Sequence, residues 1–139
     1  MALITGLLLV FALGILHYLG LMAIRQGAPR REDRPHLSIV TVFGGLLVVH
    51  LLEILVFAAI YRGLIAGGWF GGLDEMPSQT WTDLIYFSGM NFVTLGYTDI
   101  KTDGAIKLIS MMQSLGGFMI LTWSATFIYS VWGQDWTKS

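Results

Sequence analysis

The 139-residue chain contains no cysteine. That excludes a disulfide framework, a thiolate metal centre and a thiol nucleophile. Charge is nearly as scarce, at 12% of residues against about 25% in an ordinary soluble domain. The formal net charge is −1, so nucleic acid has no basic surface to meet. Phosphate-binding loops of the GxxxxGK type and HExxH motifs are missing too. No Ser–His–Asp set falls in a plausible cavity, and an enzyme is not expected.

Apolar residues are abundant, at 55% of the chain with a mean hydropathy of +0.68. Charged residues fall in four stretches, Arg25 to Arg34, Arg62 to Asp83, Asp99 to Lys107 and Asp135 to Lys138, with Glu53 alone outside them. Three apolar runs lie between: Leu3 to Ile24, Leu37 to Ala66 with a span placed inside Ile39 to Tyr61, and Ala105 to Trp132. About 20 apolar residues cross ~30 Å of hydrocarbon. The expectation is an all-α protein of the lipid bilayer with three spans. The first run lacks the basic start of a signal peptide and is expected to be retained.

Arg25, Arg30, Arg31 and Arg34 crowd the first loop, where Pro29 and Pro35 forbid a continuous helix. Basic short loops stay in the cytoplasm. The N-terminus is therefore expected outside and the C-terminus inside the cell (inner) membrane. Trp69 and Trp81 suit the outer interface, and Trp132 and Trp136 the inner one.

Residues 67 to 104 are less regular. "GGWFGGLDEMP" reads as a surface loop, and Pro77 suits the approach to a helix. Ser78, Thr80 or Thr82 can cap the segment that follows, which is rich in Trp81, Leu84, Ile85, Phe87, Phe92 and Val93. Roughly 13 helical residues reach only ~20 Å, enough to enter a membrane halfway. Backbone beyond such a half-helix is tolerated only inside protein or along a watery cavity. There the chain reads "NFVTLGYTDI". Gly96 can turn its carbonyl where other residues cannot. Consecutive carbonyls aimed one way replace the hydration shell of a cation, and Asp99 adds negative charge at the outer end.

"TLGYTD" resembles the selectivity-filter motif T-[VIL]-G-Y-G-D of the potassium-channel superfamily. "LIYFSGMNFVTLGYTD" is similar to that family's pore helix running into its filter, and the likeness covers residues 37 to 132. The whole chain looks most like small bacterial three-span members. The resemblance implies an extra N-terminal helix and basic loop over 1–36, then a pore domain over 37–139. Within it the pore helix takes 79–92, the filter 94–99 and the inner helix 105–132. It also implies a homotetramer that conducts K⁺ with no cofactor, because one filter strand cannot encircle an ion. Thr94, Leu95, Gly96, Tyr97 and Thr98 would line the ion path, and Asp99 would stand at the outer mouth. The ring of Tyr97 would pack against Tyr86 or Phe87. Three positions depart from the family: Thr98 replaces a glycine, Val93 a frequent threonine, and Met90 a carboxylate some members carry. Thr98 keeps open a weakly selective channel passing Na⁺ and K⁺, with divalent permeation included.

Other polar residues within the spans have two readings each. Gly116 and Gly117 serve either close packing or a hinge. Thr122 and Thr126 share a helix face and either line a cavity or bond their own backbone. His50 and Glu53, at i and i+3, form a bracing pair or a proton sensor, since imidazole changes charge in the neutral range. His17 either joins them or bonds locally. A haem held between His17 and His50, or a purely structural subunit, remains a distant alternative.

Overall fold

The computed structural model describes residues 1–29, 34–71, 73–74, 80–94, 101–102 and 104–132. Six elements follow in order: α1 Ala2–Gly27, α2 Pro35–Ala66, β1 Leu73–Asp74, α3 Trp81–Phe92, β2 Lys101–Thr102 and α4 Ile106–Trp132. Helices α1, α2 and α4 are long and apolar enough to cross a membrane. At 1.5 Å per residue α2, with 32 residues, runs about 48 Å and overshoots the hydrocarbon. The sequence places the crossing in the middle of that run, but nothing breaks the helix between Pro35 in its first turn and Gly67 at its end. The only strands among the described residues form a two-residue antiparallel ladder, Leu73 opposite Thr102 and Asp74 opposite Lys101. The ladder clips the loop before α3 to the loop before α4.

Helix α3 has 12 residues, about 18 Å, and cannot span. Thr80 caps it. The Asp83 amide donates to Thr80 Oγ1 at 3.3 Å, and the Thr80 amide donates back to Asp83 Oδ2 at 3.2 Å. This reciprocal box satisfies donors the first turn would leave bare. Arg62 near the end of α2 lies over the Trp81 ring, 4.8 Å from its centre, and holds the two helix ends together.

α1 is buried along one stripe, Ala2, Gly6, Leu13, His17, Leu21 and Ile24, the spacing expected of one helix face. Its other side exposes Leu7, Leu8, Phe11 and Leu19, a surface suited to lipid. Small residues let the helices close up. A Cβ on Gly20 would meet Val49 at 2.8 Å, one on Gly45 would meet Ile24 at 2.7 Å, and one on Gly116 would meet Val10 at 2.6 Å. The apolar core between α2, α3 and α4 holds Phe57, Tyr61, Leu84, Phe87, Phe92, Ile106 and Ile109.

Candidate functional site

α3 is held from behind by a buried polar relay. Tyr61 on α2 donates to Gln113 Oε1 on α4 at 2.8 Å. Gln113 Nε2 donates to the Ser88 carbonyl at 3.1 Å and to Ser88 Oγ at 3.0 Å. Ser88 Oγ then donates to the Ile54 carbonyl on α2 at 2.8 Å. With lipid as solvent, polar groups of this kind have no water to fall back on, so each bond fixes α3 against both neighbouring spans. The Phe87 ring meets Tyr61 edge-on at 5.0 Å. Phe87 is therefore buried in the subunit core, while Tyr86 is exposed.

The C-terminal end of α3 rests on Gly117, about midway along α4. A Cβ there would overlap the Phe92 carbonyl oxygen and lie 2.9 Å from its carbon. Gly116 faces Val10 of α1 instead. Both glycines thus sit in close helix contacts. The carbonyl end of α3 carries partial negative charge, favourable to a cation. Thr94 follows with φ 59° and its amide bonded to Asn91 O at 3.1 Å. It is the only non-glycine residue at positive φ among the described residues. A β-branched residue there is strained, and the turn redirects the chain as residues 95–99 begin. Leu95, Gly96, Tyr97, Thr98 and Asp99 lie outside the described residues. Asn91 is buried, and its side-chain nitrogen has no hydrogen-bond partner among the described residues.

On α4 the Thr122 hydroxyl donates to Phe118 O at 2.8 Å, and that of Thr126 to Thr122 O at 3.0 Å. Both side chains are exposed on the single chain with Met111, Leu115, Phe118 and Met119. This face of α4 is left open for a pore or for other subunits.

A second polar group joins α1, α2 and α4. His17 Nδ1 lies 2.9 Å from Glu53 Oε1, and His50 Nδ1 lies 2.9 Å from Glu53 Oε2. Ser124 Oγ is 3.3 Å from His17 Nε2 and 3.1 Å from His50 Nε2. His17 and Glu53 are fully buried and His50 nearly so. The imidazoles stack at 5.5 Å with 7° between their planes. Rings stacked in this way do not oppose their nitrogens across a porphyrin, so the geometry gives the haem alternative no support. His17 therefore joins His50 and Glu53. Gln113, Tyr61 and Ser88 were not singled out from the sequence, and Ser124 was read only as polarity in the cytoplasmic half of the third span. Gln113, the one side-chain amide within the third apolar run, was the available signal.

Residues 37–133 match the family described as "Ion channel". The chain is also similar to an uncharacterized membrane protein of Bacillus subtilis, YdjJ, at 29% identity over 113 residues. That match takes in 73% of this chain and 31% of the relative, so the chain spans well under half of its length. No solved structure matches. With the family match covering more than half of the chain, the protein belongs to this ion channel family.

Proposed function

We propose that this chain is one of four identical subunits around a cation pore, with residues 94–98 presenting carbonyl oxygens to dehydrated K⁺. The observation that carries the reading is α3: a capped, 12-residue helix between two spans, ending against the middle of α4 just before the filter-like segment. Asp99 stands at the outer mouth, and the open face of α4, with Thr122 and Thr126, lines the path below. The basic first loop lies in the cytoplasm, so the N-terminus is outside and the protein sits in the cell membrane. Thr98 makes a channel with weaker preference between K⁺ and Na⁺ the second reading, since a threonine reaches the backbone a glycine allows only under strain.

The test is flux into liposomes of the purified protein with K⁺, Na⁺ and Ca²⁺ in turn. Strong K⁺ preference supports the first reading, and equal K⁺ and Na⁺ flux supports the second. Absence of flux for every cation would defeat both.

A further inference from the structure

The contacts of His17, Glu53, His50 and Ser124 close into a ring: Glu53 Oε1 to His17 Nδ1, His17 Nε2 to Ser124 Oγ, Ser124 Oγ to His50 Nε2, and His50 Nδ1 to Glu53 Oε2. A hydrogen bond needs one proton between its two atoms, and all eight positions in this ring can act as acceptors. Four contacts therefore need four protons. Fully stripped of these protons, the carboxylate, two imidazolates and alkoxide would carry four negative charges, so four protons make the ring electrically neutral. Removing one sets two lone pairs against each other and leaves a buried negative charge. Adding one breaks nothing. Both Nε2–H groups then donate to Ser124 Oγ, and the hydroxyl turns its own hydrogen to its helix backbone, as Thr122 and Thr126 already do. The ring stays closed and gains one positive charge.

We propose that this ring is a proton-binding site inside the membrane, switching between neutral and singly positive while α1, α2 and α4 stay packed, and that the added charge attenuates cation passage. The second half rests on the channel reading, and proton uptake does not. Proximity supports the coupling: the His50 ring lies 5.5 Å from that of Phe92, the last residue of α3. The ring has few charged neighbours. From α2 only its own His50 and Glu53 take part. From α1 His17 does, with Tyr18 turned onto Trp123 at 6.4 Å. The packed side of α3 presents Phe92. On α4, Lys107 and Tyr129 are exposed and lie turns away. A divalent metal explains the geometry less well. Glu53 spends one oxygen on each imidazole at hydrogen-bond distance, and the donor atoms spread to 4.8 Å, wider than the ~3.4 Å between ligands of a tetrahedral zinc bonded at about 2.1 Å.

The test is ¹⁵N NMR of the full chain, labelled at histidine, in lipid nanodiscs from about pH 8.5 to about pH 5. His36 is exposed and serves as the reference imidazole. The expected result is that His17 and His50 shift in step, sharing one proton. Glu53→Gln keeps the ring closed, since the amide accepts from one Nδ1–H and donates to the other Nδ1. A further proton can then enter only at the Nε2 of the imidazole that faces the amide oxygen, because the other Nδ1 faces the amide N–H, so one resonance should move and the other stay while His36 still titrates. Ser124→Ala retains both contacts to Glu53 and should uncouple the two resonances. K⁺ flux should fall about threefold or more across the range in the native chain. Independent titration of His17 and His50 alongside His36 overturns the proposal. So does a Glu53→Gln chain that behaves like the native one, or stoichiometric Zn²⁺ moving both Nδ1 signals reversibly. Shared proton uptake without any change in flux overturns the coupling to the pore. Absence of flux at every pH sinks the channel reading, and the NMR still decides proton uptake.

Discussion

Gly117→Ala puts the packing of α3 on α4 to a quantitative test. Two effects oppose each other. Alanine in a helix interior gains about 0.8–1 kcal/mol over glycine. Against that, the new methyl would overlap the Phe92 carbonyl oxygen and crowd its Cα at 3.0 Å. These are backbone atoms of α3, tied down by the Ser88–Gln113 bonds, and no rotamer change can clear them. The end of α3 must retreat by on the order of 1 Å, in an interior packed as tightly as a crystal. Overpacking typically costs 1–3 kcal/mol, and rigid backbone places this case near the upper end. The balance is a loss of roughly 2 kcal/mol, with the filter entrance at Thr94 displaced. Thermal unfolding in detergent and liposome flux should both fall. Gly116→Ala meets the Val10 side chain rather than backbone and, although valine is stiff at χ1, should cost less. Gly14→Ala and Gly44→Ala, with nothing within 4 Å, should be neutral or slightly stabilising. A Gly117→Ala protein that melts higher while its open probability changes would refute the packing account and restore the hinge.

Gln113→Leu takes from the Tyr61 hydroxyl its acceptor at Gln113 and from Ser88 a donor, while the Ser88 hydroxyl keeps its bond to the Ile54 carbonyl, and should cost about 1–2 kcal/mol by thermal unfolding. Tyr61→Phe added to it should cost less than the separate losses combined, because the two share one bond. Thr98→Gly should raise the K⁺ to Na⁺ permeability ratio in liposomes if threonine distorts the outermost carbonyl ring. An unchanged ratio would remove Thr98 from the account of selectivity.

The spans were legible because lipid imposes a one-dimensional rule: length and apolarity decide. The short α3 was legible too, from Pro77, a choice of capping threonines and a run too brief to cross. Thr80 and Asp83 then supplied a box that local spacing alone could suggest. What the sequence withheld was contact between spans. His50 and Glu53 could be paired from one helix, but His17 is 36 residues from Glu53, and its depth depends on how α1 slides along α2. Glycines set that register, with Gly20 on Val49 and Gly45 on Ile24, and no periodicity reveals which glycine meets which side chain. Gln113 was overlooked, and the partners of Ser124 were missed, for the same reason. A lone hydroxyl or amide in an apolar helix has no meaning until its partner helix is in place. The positive φ at Thr94 also had no local signature, since the pattern drew attention to Gly96 and Thr98 instead.

The role of α1 can be decided by the same reasoning. The family match begins at residue 37, which suggests a pore unit that stands without the first helix. The packing indicates otherwise. α1 supplies Val10 to Gly116 and lays Gly6 against Met112, so it packs along α4. It also supplies one of the two imidazoles that hold Glu53. Without α1, Glu53 Oε1 loses its partner His17 and is left without it at membrane depth, where a carboxylate costs about 2.5–3.5 kcal/mol or more. A chain beginning at Arg34 should therefore express poorly and melt well below the full chain. Replacing both His50 and Glu53 with leucine in that shorter chain should recover part of the loss, because it removes the stranded charge. It should not recover the part due to Gly6 and Val10. A shorter chain as stable as the full one, with Glu53 intact, would show that α1 is an appendage and that the buried ring does not bind it.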